Sequence, residues 1–319
     1  VKLRPAAAAL ALALTVGVLP APAADASNAA NTSIASDPSN AEQQAVDRSV
    51  AAASAQGIGQ SIAVVDRSTG ELVAGSGGDV QYISESIVKL FTLAYYQVQA
   101  GGQPDRSLTR TLRTMIIGSD DGIESSLWNT DIVPAMAARY GLRHTANGPR
   151  TGPGDWGWEL ITADDEAQFL FGAAADPEVG PLLLDAMANT APTAADGSDQ
   201  DFGLNALTGD HGSKQGWTDI GSTDQVQIHS VGWTDRYYVA ILQTAADPDI
   251  DAMRAAATDA ARAVQAAEEP AGDPAPEPAQ DPQTPTQDAA AADPLAAAFA
   301  ELRTEIGTIL GRLTGADPV

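Results

Sequence analysis

The 319-residue chain contains no cysteine, three histidines and, among its 17 basic residues, only three lysines. Without cysteine it can hold neither a disulfide framework nor a thiol for lipid attachment. His144, His211 and His229 stand alone, with no His-x-x-x-His or Glu-x-x-His spacing, which argues against a metal centre. No glycine-rich loop is followed by Lys-Ser or Lys-Thr, so a phosphate cradle is absent, and nothing implies a cofactor. Seventeen basic against 42 acidic residues leave a net charge of −25. Nucleic acid and anionic membrane surfaces are therefore poor partners, because neutralising phosphates requires Lys and Arg. The acidity fits a protein kept soluble after export. Beyond the N-terminus no apolar run is long enough for a transmembrane helix.

Lys2 and Arg4 precede an uncharged apolar run, Ala6 to Leu19, and small residues follow at Ala21-Pro22-Ala23 and Ala24-Asp25-Ala26. The run, about 14 residues, is short for a bilayer span and reads as a cleaved export signal over 1–26. The expectation is a secreted protein or one at the exterior of the cell envelope, and not a lipoprotein. A polar segment follows over 27–40. Over 41–268 the pattern is that of one α/β domain. A helix is expected from Ala41 to Ala55, then a hairpin of Ser61–Val65 and Glu71–Ala74 around the turn Asp66–Gly70. Glu85 to about Ala194 is mostly helical, broken at Gly101-Gly102, at Gly118 and in the loop Asn147 to Trp158. Strands return at Ser213–Trp217, Gln225–Val231 and Tyr237–Gln243, and a final helix spans Asp251 to Ala267. Two early and three late strands around a helical block imply one sheet with an inserted helical lobe. Residues 269–293 form a linker rich in Pro, Ala and Asp. In 294–319, Leu295, Phe299, Leu302, Ile306, Ile309 and Leu313 make one apolar helical stripe, suited to self-association or to docking on another helix.

Ser86 and Lys89 lie three apart at the start of an apolar helix and so share a face. A lysine forced into such surroundings loses hydration, and its neutral amine becomes available as a base. A helix cap followed by a lysine reaching into water fits the pair equally. Lysine usage favours chemistry: apart from Lys2, only Lys89 and Lys214 occur, against 14 arginines. Lysine is retained where a deprotonatable amine or a compact ammonium matters. Lys214 lies in Ser213-Lys-Gln-Gly-Trp217, where Gly216 leaves room for a substrate backbone at the strand edge and Lys214 suits a carboxylate; an ordinary exposed strand lysine is the alternative. In Gly118-Ser-Asp-Asp121 the Ser119 hydroxyl either relays a proton or caps a new helix.

In order, Ser86-x-x-Lys89, Ser119-Asp-Asp121 and Lys214-Gln-Gly216 resemble the signature set of the serine β-lactamase and penicillin-binding protein (DD-peptidase) superfamily, here a class A β-lactamase-like exported serine hydrolase. The likeness runs from Ala41 to Ala267, with support from Met115-Ile116, Leu127-Trp128, Trp156 to Asp165 and Tyr237 to Thr244. It implies an antiparallel five-stranded sheet with flanking helices and an inserted helical lobe. It implies that Ser86 is acylated, that Lys89 is its base, that Ser119 shuttles the proton and that Lys214, Gln215, Gly216 and Asp121 bind substrate. The backbone N–H groups of Ser86 and Trp217 would form the oxyanion hole. Substrates would be β-lactams or cell-wall peptides ending in D-Ala-D-Ala.

Three departures stand out. Asp121 replaces an amide-bearing Asn, Gln215 replaces Thr or Ser, and the loop Asn147 to Trp158 lacks the Glu-x-x-Leu-Asn that carries the deacylating glutamate of class A enzymes. The nearest acids, Asp155 and Glu159, stand in different surroundings. Slow deacylation is the expectation, and a non-catalytic penicillin- or peptidoglycan-binding protein on the same scaffold is the alternative.

Overall fold

The computed structural model describes residues 40–218, 225–246 and 249–268. The expected signal, most of the segment 27–40, the linker and the C-terminal stripe lie outside the described residues. Helix α1 (Ala41–Ser54) begins where the Asn40 side chain accepts from the Gln43 N–H, a standard N-cap. Strand β1 (Gly59–Asp66) turns back through Asp66, whose carboxylate accepts from the Ser68 and Thr69 N–H groups, into β2 (Leu72–Ser76).

The helical lobe follows. It comprises α2 (Val88–Gln99), α3 (Arg106–Gly118), α4 (Asp121–Leu127) and α5 (Ile132–Tyr140). The chain then returns through α6 (Ala163–Ala175) and α7 (Gly180–Ala188). Two-residue strands β3 (Tyr82–Ile83) and β4 (Leu160–Ile161) precede α2 and α6, and the chain ends in strands β5 (Gly212–Trp217), β6 (Val226–Trp233) and β7 (Tyr237–Ala245) and helix α8 (Ile250–Glu268).

The main sheet is five-stranded and wholly antiparallel, as the resemblance implies, and is ordered β2-β1-β7-β6-β5. Both faces are covered. Ala63, Val65, Ala240 and Leu242 face the lobe and α6, while Ile62, Val64, Val239 and Ile241 face the layer of α1 and α8. This is why the run 62–65 of β1 and the run 237–242 of β7 are hydrophobic at consecutive positions. A second ladder pairs Tyr82 with Ile161 and Ile83 with Leu160. Two-residue strands carry no periodicity and cannot be read from sequence. Among the described residues, no helix is long and apolar enough to cross a membrane.

One core residue opposes the fold. Glu166 on α6 has no exposed surface, and neither carboxyl oxygen has a hydrogen-bond partner among the described residues. Burial pushes its pKa well above the ordinary value of 4.5, so the native state holds this proton more tightly than the unfolded chain does. The unfolded chain releases that proton once pH exceeds the ordinary value, so this group makes the protein less stable as pH rises from there towards its native-state pKa. Glu166→Met removes both the unpartnered polar group and the linkage. It should stabilise by on the order of 2 kcal/mol, with a larger gain in melting temperature at pH 8 than at pH 5. Thermal unfolding at the two pH values checks this; a pH-independent difference would contradict it.

Candidate active site

Ser86 lies in a single 3-10 turn, Glu85–Ile87, that runs straight into α2. The turn is pinned on two sides. The Ser84 N–H donates to the Glu159 carbonyl at 2.8 Å and the Glu85 N–H to the Gly157 carbonyl at 3.0 Å. On the other side β5 packs directly against it: a Cβ at Gly216 would lie 3.1 Å from Ile87, 3.2 Å from the Ser84 carbonyl and 3.3 Å from Glu85. The room expected at Gly216 for a substrate backbone is thus filled by the protein's own Ser86 turn.

Lys89 has no exposed surface, and its Nζ donates to Ser86 Oγ at 2.6 Å and to Asp121 Oδ1 at 2.8 Å. Trp156 covers the ammonium, with its ring centroid 4.1 Å from Nζ. Burial pulls the Lys89 pKa below the ordinary lysine value, and Asp121 opposes that shift.

Lys214 is equally buried; its Nζ donates to Ser119 Oγ at 2.9 Å and to the Gln215 carbonyl. Burial, and then repulsion from Lys89, pulls its pKa well below the ordinary value. The Lys214 amine therefore faces Ser119 and does not line the cleft, in contrast to the expectation that it meets a substrate carboxylate directly.

Ser119 also differs from its expected setting. It does not cap α4; it is the left-handed C-cap of α3, at φ 50° and ψ 42°, and Asp120 caps α4 by accepting from the Ile123 N–H. Glu85 and Ser119 are the two non-glycine residues with positive φ among the described residues; Glu85 directly precedes Ser86, and Ser119 accepts from Lys214. Each such conformation costs about 1–3 kcal/mol and persists where the surroundings over-determine it.

Gln215 is not brought to the cleft. Its side chain is fully buried, donating to Ser213 Oγ at 2.9 Å and towards the Phe202 carbonyl. The backbone of β5 is better placed. Since the Thr218 N–H donates to Gln227 on β6, ladder alternation turns the Trp217 N–H away from β6, onto the open edge. Trp217 and Ser86 both line a cleft of about 220 Å³.

The same cleft is lined by Trp156, Trp158, Glu85, Asp121 and Asp196, which the motifs did not single out apart from Asp121. The usable signal was aromatic residues inside a Gly/Pro-rich loop, Trp156-Gly-Trp158. The loop is held by Glu159, which is fully buried and accepts from Ser84 Oγ, Thr151 Oγ1 and the Gly157 N–H at 3.1, 3.0 and 2.8 Å. Asp155, the other acid of the loop, is exposed. Among the described residues no group of His, Asp and Glu is arranged to hold a metal ion.

This is the serine β-lactamase/transpeptidase-like fold. Solved class A β-lactamases superpose on the chain over nearly their whole length. One from Bacteroides cellulosilyticus is 17% identical with a TM-score of 0.57, over 71% of this chain and 98% of that one. One from Mycobacterium abscessus is 15% identical with a TM-score of 0.55, over 70% and 98%. A β-lactamase from Sphaerobacter thermophilus is 23% identical with a TM-score of 0.52, over 70% and 97%. No protein-family model and no curated protein sequence matches the chain.

Proposed function

We propose that the protein is an exported serine hydrolase that acts through an acyl-Ser86 intermediate on β-lactams or D-Ala-D-Ala-type cell-wall peptides and deacylates slowly. The observation that carries this reading is the 2.6 Å contact between the buried Lys89 amine and Ser86 Oγ. Neutral Lys89 takes the hydroxyl proton as Oγ attacks the substrate carbonyl. The oxyanion forms between the N–H groups of Ser86 and Trp217, donors that need no reorganisation. Ser119, held by Lys214, hands a proton to the leaving nitrogen and is reprotonated from the lysine pair. The C–N bond breaks, leaving an ester on Ser86 and the amine as product or as the opened ring. Export rests on the N-terminal pattern over 1–26.

A second reading, a non-catalytic penicillin- or peptidoglycan-binding protein, is favoured by one observation: the Asp121 carboxylate, 2.8 Å from Lys89, helps the base keep its proton. Incubation with a fluorescent penicillin separates the two. Covalent label on Ser86, absent in Ser86→Ala, is expected. A folded protein that binds the drug without covalent label would establish the second reading.

A further inference from the structure

Helices α2 and α4 face each other through two rungs. Lys89 and Thr92 lie three residues apart on α2, and Asp121 and Glu124 three apart on α4, so each pair shares a helix face. The first rung is the Lys89–Asp121 ion pair at 2.8 Å. The second is a hydrogen bond from Thr92 Oγ1 to Glu124 Oε1 at 2.7 Å. The two acids differ in setting. The Asp121 side chain is 59% exposed, whereas Glu124 has no exposed surface and its Oε2 lacks a hydrogen-bond partner among the described residues. The proposed reaction assigns no task to this buried carboxyl beside its base.

We propose that Glu124 is a positioning residue that regulates the base: its buried carboxyl sets how tightly Lys89 holds its proton, and so the pH at which Ser86 is activated. The proposal rests on the reading of Lys89 as the base.

The groups acting on Glu124 are Lys89 and Thr92 from α2, Asp121 from its own helix and Glu159 from the loop. Lys214 on β5 and Tyr96 on α2 feel its charge in turn. Burial dominates and pushes Glu124 up to about 7, against the pull of Lys89. Below that pH the carboxyl is neutral, and Lys89 is left with Asp121 as its close negative partner. Above it a second negative charge appears in a region of low dielectric and draws the Lys89 pKa back up. The two titrations are coupled, and ionised Glu124 restrains the base.

Beyond the expected export signal the chain has two lysines, Lys89 and Lys214, so ε-¹³C-lysine labelling of the processed protein gives two resonances, and Lys89→Arg identifies the one that matters. In Glu124→Gln, the amide still accepts from Thr92 but carries no charge. The Lys89 titration midpoint should fall by about one pH unit. The pH profile of penicillin labelling should move with it, making labelling at neutral pH up to about tenfold faster. Glu124→Asp should return the midpoint towards that of the parent. A folded Glu124→Gln protein whose Lys89 midpoint is unmoved would overturn the proposal, since a purely structural carboxyl predicts that result. If Glu124→Gln does not fold, the parent decides: its Lys89 resonance should show a second inflection near pH 7, and a single inflection would overturn the proposal. The titration needs no substrate. Label on Ser86 with a Lys89 midpoint indifferent to Glu124 sinks this inference alone, whereas a shifted midpoint with no label sinks the acyl-transfer reading.

Discussion

A Lys89→Arg variant should lose labelling of Ser86 by about 100- to 10,000-fold, the worth of a positioned general base, while its melting temperature stays close to that of the parent. Arginine keeps the positive charge that Asp121 pairs with at 2.8 Å and stacks on an aromatic ring such as Trp156. What it cannot do is give up its proton at working pH. Lysine can, because full burial lowers its pKa and Nζ already sits 2.6 Å from the hydroxyl it must deprotonate. The substitution therefore separates holding the site together from activating the nucleophile. Rates of adduct formation by mass spectrometry, set beside thermal unfolding curves, measure the two separately. Near-normal labelling in a folded Lys89→Arg protein would remove Lys89 from the chemistry and move attention to Lys214, the other buried amine.

What the sequence made legible follows the distance along the chain over which each feature acts. Ser86 and Lys89 are three residues apart, so helical spacing alone puts them on one face. The turn at Asp66 is similarly local and was read as one, whereas the cap of α4 falls on Asp120, one residue beyond the expected Ser119. Ser119 and Lys214 meet across 95 residues; the resemblance put both in one site, but nothing in the pattern paired them with each other. The strands of the main sheet were visible as apolar runs, but β3 and β4 were too short to leave a trace. Facing was harder still. Strand alternation does not say which side of β5 meets the cleft, so Gln215 read as a substrate contact although it is tied to Ser213 and Phe202. Gly118 drew the helix boundary one residue early, because glycine is the usual left-handed residue and here Ser119 takes that conformation. Trp156 is placed over Lys89 by a loop whose anchor, Glu159, is a buried acid. Composition treats such an acid as a surface residue.

Mass spectrometry after treatment with a β-lactam should show an adduct on Ser86 that outlasts removal of free drug, with little multiple turnover. Formation and loss of the ester make different demands. Formation needs a base for Ser86 and donors for the oxyanion, and Lys89, Ser86 N–H and Trp217 N–H stand ready for those tasks. Loss needs a second base that activates water against the ester carbonyl. The three acids that line the cleft are differently engaged: Asp121 is ion-paired with Lys89, Glu85 accepts from Thr218 Oγ1 at 2.8 Å, and Asp196 accepts from the Ser198 N–H and Ser198 Oγ at 2.8 and 3.0 Å. Glu159, the buried acid of the adjacent loop, accepts three hydrogen bonds that stitch the loop to the nucleophile turn, and burial raises its pKa. A carboxyl held in that way supports the loop and is poorly placed to take a proton from water. General-base assistance is worth about 100- to 10,000-fold, and hydrolysis of the ester should lag behind that of an efficient β-lactamase by a factor of that order. Fast turnover with no detectable adduct would show that such a base exists. Glu159→Gln and Asp155→Asn would then identify it: the variant that traps the ester on Ser86 has lost the group that releases it.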